Sequence, residues 1–424
     1  MCLERSTATD MSDKEWRGYN KLEHLIRLIF SPIVQMERIT IKRTVYLITA
    51  LVAFALGLSL GLLIPVYIMP VSIARNVSSI MRSVRPISSS SQRFDTVSFV
   101  AESTTIRAQQ LRPKDSRLVV DGIYWNDEIE AALPTGYGEP EAERWRRFVK
   151  NNPVVKIEEG CGRMQNRLLT FEDGTRACCR YRQNTDQIQG ELFSFYLGRL
   201  LGLNNLAPSA LGVVHSRDPV WSKVRAQISL AQWAEERPVV LTKFIDYLQP
   251  AQIPRSLRNS NRKLHPPDVN HNDRSKSVEL AQWSDLIVFD YLTANLDRIV
   301  NNLYNLQWNP GMMDAPAHNL AKCSKSNLLL FLDNESGLLH GYRLLDKYES
   351  YHSVLLNALC VFRRSTVEAI ERLRNDQNLA NLLERSLNAE GDLVPGLPEK
   401  NLKILNDRIN RVHDQVEWCR KQYS

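Results

Sequence analysis

The longest uninterrupted apolar stretch lies near the start of the chain, where the 25 residues from Val45 to Met69 carry no charge. As a helix rising 1.5 Å per residue it spans the roughly 30 Å hydrocarbon core of a bilayer, which predicts one transmembrane helix over 45–69 behind a cytosolic tail, 1–44. It is too long, and begins too far into the chain, for the apolar region of a cleaved signal peptide, about 7–15 residues. Ala53, Gly57 and Gly61 recur at every fourth position along it. Small residues at that spacing let two membrane helices approach, so a homodimer through this helix is one expectation. The next segment, 70–117, is rich in Ser, Thr, Arg and Gln, lacks a sustained apolar period and reads as a stem.

Patterned sequence resumes near Leu118 and predicts a folded domain over 118–424. Arg167-Leu-Leu-Thr-Phe and Thr175-Arg-Ala-Cys-Cys-Arg-Tyr are strand-like runs on either side of Asp173-Gly174. That dipeptide predicts a hairpin with a type I′ turn. From Ile188 to Leu203, the residues Leu192, Phe195, Tyr196, Leu200 and Leu203 fall at helical spacing, with Gly202 as a stop. Arg237 to Ile245 is strand-like, the polar and Pro-bearing stretch 250–278 reads as a loop or insertion, and 280–296 is a helix carrying Trp283, Leu286, Ile287, Tyr291 and Leu292. Beyond Tyr348 the period is helical almost throughout. Strands with one helix followed by mostly helices predict a two-lobed α+β domain rather than a doubly wound sheet.

Composition narrows the function classes. A hydrophobic content of 43% over 424 residues is ordinary for a globular chain. The net charge of +7 is spread along the sequence without a Lys/Arg stripe interleaved with aromatics, which argues against nucleic acid as a partner. Basic residues flank the apolar span on both sides, so the positive-inside bias is slight. Six of the seven cysteines lie beyond the span, as do the acceptor sequons Asn76-Val-Ser and Asn334-Glu-Ser. Both suit an oxidising lumen, and the expected topology is type II with the large part lumenal. No Cys-x-x-Cys or zinc spacing occurs, so the cysteines are expected in disulfides, six of them allowing 15 connectivities. Cys178 and Cys179 face opposite sides of a strand, so they take different partners or leave one thiol free.

The chemistry concentrates in two segments. Asp297 is followed at five positions by Asn302, the spacing with which a protein-kinase catalytic loop places its base and a metal-ligating amide. Asp333 follows a short apolar run, where a second metal aspartate belongs. Asp297 would orient an acceptor Ser/Thr hydroxyl, while Asn302 and Asp333 would ligate Mg²⁺ or Mn²⁺ against the phosphates of ATP. Arg180, near the end of the second hairpin strand, is the candidate phosphate cation; Asp186 or Glu191 would pair with it or bind metal. Each has an ordinary alternative: Asp297-Arg298 as a surface ion pair, Asn301-Asn302 as a turn, Asp333 to Gly337 as a hairpin turn, Glu191 as a solvated helix acid. The combination in this order favours phosphoryl transfer, although no glycine-rich phosphate loop is present beyond Gly160-Cys-Gly162.

Asp290-Tyr-Leu-Thr-Ala-Asn-Leu-Asp-Arg298, Leu332-Asp-Asn-Glu335, Ile188-Gln-Gly-Glu191 and Phe362-Arg-Arg-Ser-Thr366 resemble the four-jointed family of Golgi Ser/Thr kinases, related to the Golgi casein kinases. The resemblance covers most of 120–424 and implies a kinase-like fold. It further implies ATP and Mn²⁺ or Mg²⁺, a Golgi membrane location, and substrates among extracellular cadherin domains of the Fat and Dachsous type in planar cell polarity; secretion after cleavage in the stem is an alternative the sequence leaves open. It sets the catalytic aspartate on Asp297, the metal aspartate on Asp333 and the acid before the helix on Asp186. Two positions depart from related kinases: Arg180 stands where they have lysine, and Asn302 where several have Glu. Two rival readings are a type II Golgi glycosyltransferase, with Asp333-Asn-Glu335 imitating its Asp-x-Asp, and a pseudokinase or secreted ligand.

Overall fold

The structure, a computed structural model, describes residues 117–270, 273–376, 379–388 and 394–424, together with Thr49, Val52 and Phe54. The chain divides into two compact units, Met1–Arg107 and Ala108–Ser424. In the first unit the three described residues are helical. The tail 1–44, the rest of the predicted span 45–69 with its small-residue stripe, and the stem up to residue 116 lie outside the described residues. Among the described residues no helix is long and apolar enough to cross a membrane.

Among the described residues of the second unit, ten strands build three antiparallel sheets: β1 (Val119–Val120) and β2 (Tyr124–Trp125) form a short pair. The main sheet contains β3 (Val154–Glu159), β4 (Arg167–Phe171), β5 (Arg176–Tyr181), β6 (Ser209–Val214) and β7 (Arg237–Lys243) in the order β3-β4-β5-β7-β6. A three-stranded sheet holds β8 (Leu248–Gln252), β9 (Pro316–Cys323) and β10 (Leu329–Phe331), with β8 and β10 at its edges. The helices Arg274–Thr293, Leu345–Asn357, Arg364–Asn375, Leu379–Asn388 and Glu399–Tyr423 make up most of the remainder. The α+β composition and the helical C-terminal half are as the periodicity implied.

Period-2 alternation explains the hairpin. Ala177, Cys179 and Tyr181 of β5 are buried in a core with Trp145, Phe171, Trp221 and Trp233, while Cys178 and Arg180 point to the other face. Fully burying a side chain such as Phe171 contributes about 1.5–3 kcal/mol. The turn differs from the expected type I′, which needs left-handed backbone at both central residues. Only Gly174 is left-handed (φ +84°), and its N–H donates to Phe171 O at 2.9 Å. This is a type I turn closed by a left-handed glycine, which gives a longer loop. The Thr185–Leu200 helix ends as the sequence indicated: the Gly202 N–H donates to Arg199 O, and the Leu203 N–H to Gly198 O, with Gly202 at φ +73°.

The stretch 250–278 is more ordered than its composition implied. It holds most of β8, two short helices and the start of the Arg274–Thr293 helix, whose N-cap Asp273 accepts from the Lys276 N–H. Pro250 is tolerated because β8 is an edge strand. Of the six cysteines expected in disulfides, four are bonded, as Cys161–Cys178 and Cys360–Cys419, while Cys179 is the free thiol of its pair and Cys323 is free as well. The alternation of β5 is the reason, since it sends Cys179 into the core away from Cys178.

Candidate active site

A cleft of about 290 Å³ is lined by residues of both larger sheets. One part of its lining is apolar, with Phe195, Leu206, Ala207, Leu248 and Phe331; another is charged, with Arg180, Glu191 and Asp333. An apolar wall with a few convergent polar groups is the usual form of a small-molecule site. The Thr242 to Ile245 segment, leaving β7, runs along it, and the Cys161–Cys178 disulfide borders it.

Close approach of backbone assembles the charged end. Gly190 lets the Thr185–Leu200 helix lie against the turn after β10: a Cβ there would stand 2.5 Å from Glu335 O. Glu191 Oε2 consequently accepts from the Asn334 N–H at 2.6 Å. Asp333 leaves β10 in left-handed backbone (φ +53°), which Asp tolerates better than most residues. Across the cleft, Arg180 Nη1 donates to Asp333 Oδ1 at 2.7 Å and to Glu335 Oε2 at 3.0 Å, and its Nε stands 3.6 Å from Glu191 Oε2.

These charges shape one another. Burial pulls the Arg180 pKa down, but Glu191, Asp333 and Glu335 outweigh it and the net shift is upward, so Arg180 keeps its positive charge among these acids. Burial pushes the Glu191 carboxyl above the usual carboxylate range; Arg180 opposes this, while Asp333 and Glu335 add to it.

Asp297 lies on a loop stiffened from within. The Arg274–Thr293 helix ends at Ala294 in left-handed backbone (φ +50°), and Asn295 Oδ1 then accepts the Asp297 N–H at 2.9 Å. The following residue is no surface ion pair. Arg298 is fully buried, paired with Asp290, and donates to Leu332 O at 2.9 Å and Asn334 Oδ1 at 2.5 Å. It thereby ties the Asp297 loop to the Asp333 turn. Burial raises Asp290 to about 6, against the attraction of Arg298 and with a further push from Asp297.

The six sequence-predicted residues thus divide. Arg180, Glu191 and Asp333 line one cleft; Asp297, Asn302 and Asp186 do not. Asn302 is fully buried on the Ile299–Asn305 helix, where its Nδ2 donates to Met312 O at 2.8 Å and its Oδ1 has no hydrogen-bond partner. Asp186, in the first turn of its helix, is ion-paired with Arg343 at 2.6 Å. Asn334 is 2% exposed with both amide groups engaged, so its sequon is closed to glycosylation in the folded protein. Among the described residues no group of three or more His, Cys, Asp or Glu is arranged to hold a metal ion. Asp333 and the partnerless Asn302 oxygen are nonetheless oxygen donors of the kind hard divalent cations take.

Sequence reasoning gave Glu335 a role only in the rival Asp-x-Asp reading and missed Arg182 and Arg163. Arg182 shares the parity of Arg180, and the acid at the third position of Asp333-Asn-Glu335 was the available signal.

Residues 140–422 match the model of the four-jointed box protein middle domain. The chain is 49% identical over 355 residues to the extracellular serine/threonine protein kinase four-jointed of Drosophila melanogaster, covering 71% of this chain and 61% of that protein. It is 37% identical over 328 residues to four-jointed box protein 1 of Homo sapiens, covering 75% of each. Among solved structures, the Golgi casein kinase with Mn/ADP bound aligns with a TM-score of 0.45 and 13% identity, covering 69% of this chain and 81% of that one. Hydra Fam20 with sugar aligns at 0.48 and 16%, covering 70% and 95%.

Proposed function

The chain belongs to the four-jointed box family, and from that membership and the cleft we propose that it is an ATP-dependent protein Ser/Thr kinase with a two-lobed kinase-like domain. The observation that carries the reading is Arg180, joined to Glu191 on a helix and to Asp333 after a strand in a cleft whose lining also includes the apolar Phe195, Leu206, Ala207, Leu248 and Phe331. Phosphoryl transfer needs that set: a cation for the phosphates, an acid to hold the cation, and an aspartate for metal. The fly relative's name, an extracellular serine/threonine protein kinase, supports the same reading.

In this reading the nucleotide base occupies the apolar part and the phosphates face Arg180. Asp333 would hold Mg²⁺ or Mn²⁺, with Asn302 joining it only if its buried side chain reached the cleft that it does not line here; the bound ion would supply positive charge against the transferring phosphoryl group. Asp186 would join only by giving up Arg343. Asp297 orients the acceptor hydroxyl and takes its proton. The acceptors are Ser or Thr of extracellular cadherin domains of the Fat and Dachsous type, in planar cell polarity. The chain is a type II protein of the Golgi membrane, anchored by 45–69. The glycosyltransferase reading loses ground because every pairing in the five-stranded sheet is antiparallel, unlike a nucleotide-sugar α/β sheet.

The test incubates the purified full-length chain with labelled ATP, Mn²⁺ or Mg²⁺ and a cadherin-repeat acceptor, with labelled nucleotide sugars in parallel. Label from ATP on Ser or Thr is expected. Transfer from a nucleotide sugar alone would replace the reading by glycosyl transfer, and nucleotide-dependent thermal stabilisation without transfer would leave a pseudokinase.

A further inference from the structure

The third residue of the metal motif of ordinary kinases is glycine, in Asp-Phe-Gly. Here it is Glu335, 1% exposed, and three guanidinium groups converge on its carboxylate. Arg180 reaches Oε2 at 3.0 Å, Arg182 Nε reaches the same oxygen at 2.8 Å, and Arg163 Nη1 reaches Oε1 at 2.6 Å. They come from β5, from the residue just past it, and from the β3–β4 connection that borders the cleft. Arg182 is itself 2% exposed, and its remaining Nη1 bonds go to Asn166 Oδ1 and Tyr181 O. The same Arg180 nitrogen that meets Glu335 also meets Asp333 at 2.7 Å.

We propose that Glu335 is a positioning residue for the nucleotide phosphates: it shares the Arg180 guanidinium with Asp333, keeping that cation at the charged end of the cleft and leaving Asp333 free to release it. The inference rests on the nucleotide reading above. Three guanidinium groups here face three carboxylates, Glu191, Asp333 and Glu335. Without the Glu335 charge, Arg180 Nη1 is left to Asp333 alone, already the nearer of its two carboxylates at 2.7 Å against 3.0 Å, and the buried Arg182 loses its carboxylate partner. The aspartate would then be neutralised by arginine, and the arginine withdrawn from phosphate. A planar fork with fixed donor directions requires such an anchor more than the compact ammonium of lysine does.

The test measures the affinity of the full-length chain for ADP with Mn²⁺ by calorimetry, for wild type, Glu335→Gln, Arg180→Gln and the double variant, with folding checked by melting temperature. Glu335→Gln is expected to weaken binding about tenfold or more, because a charge-assisted bond to Arg180 becomes a neutral one. The double variant should bind as weakly as Arg180→Gln alone, within about twofold, because both act through one guanidinium. Wild-type affinity in folded Glu335→Gln, or two losses that multiply in the double variant, overturns the proposal while the nucleotide reading stands. Absence of nucleotide binding by wild type overturns both. Should Glu335→Gln fail to fold, Glu335→Asp tests reach instead of charge: its carboxylate, one methylene short, no longer meets the Arg180 guanidinium held at 3.0 Å in the wild type, so weaker binding is expected and wild-type affinity overturns the proposal.

Discussion

Arg180 and Asp333, 153 positions apart, are joined by a 2.7 Å hydrogen bond between Nη1 and Oδ1, so the cation and the aspartate proposed for the phosphates and the metal are partners of each other. In the proposed reading, nucleotide and metal bind by exchanging with this pair.

From that exchange, the two aspartates should behave differently. Asp333→Ala removes a countercharge of the metal-nucleotide complex and is expected to lower both nucleotide affinity and transfer. Asp297→Asn should leave nucleotide affinity unchanged and cut turnover by about 10²–10⁴-fold, the scale of general-base assistance. Calorimetry and labelled-ATP transfer on the same preparations decide this; wild-type transfer by folded Asp333→Ala would remove the site assignment.

Lysine at position 180 tests the guanidinium itself. Arg180 uses Nη1 toward Asp333 and Glu335 and turns Nε toward Glu191, positions that a single ammonium nitrogen cannot occupy at once. Arg180→Lys is expected to weaken nucleotide binding by about tenfold while the fold survives. Full affinity in the variant would mean that only the charge matters.

The two disulfides should differ in what their loss does. In the chain-entropy account, the separation of 17 residues between Cys161 and Cys178 contributes about 3 kcal/mol, and the separation of 59 between Cys360 and Cys419 about 4 kcal/mol. Only the first borders the cleft. Cys161→Ser/Cys178→Ser should therefore lower both melting temperature and nucleotide affinity, whereas Cys360→Ser/Cys419→Ser should lower melting temperature alone. Equal effects on affinity would contradict this.

Asp290 makes a prediction in pH. Its carboxyl titrates near 6 in the folded protein against 3.8 for the free group. A raised carboxylate pKa means that the folded state holds the proton more tightly, so this stabilisation is full below pH 3.8 and is lost as pH rises through 6, about 3 kcal/mol in all. Asp290→Asn lacks the titration. The stability advantage of wild type over Asp290→Asn, measured by denaturant unfolding, should be larger at pH 4.5 than at pH 7.5. A difference that does not change with pH would refute the assignment.

Gly190 should not accept a side chain. Because a Cβ would stand 2.5 Å from Glu335 O, Gly190→Ala must push the helix and the Asp333 turn apart. A loss of about 1–3 kcal/mol in stability is expected, with weakened nucleotide binding. Unchanged unfolding midpoint and affinity would show that the approach is not needed.

The sequence by itself determined the elements whose signals are local. Alternation set the hairpin and the face on which Arg180 lies; helical spacing with Gly202 set the helix carrying Glu191; apolar runs ended at the aspartates. Tertiary structure decided the rest, because periodicity says which face a side chain takes and not which distant group meets it. Burial in the core, not the count of cysteines, left Cys179 free. The edge position of β8 accommodated Pro250, and the ion pair with Arg343 took Asp186 away from the cleft. The convergence of Arg163, Arg180 and Arg182 on Glu335 joins segments more than 150 residues apart, through a helix–turn contact that Gly190 permits, and that pairing exists only once the chain has packed.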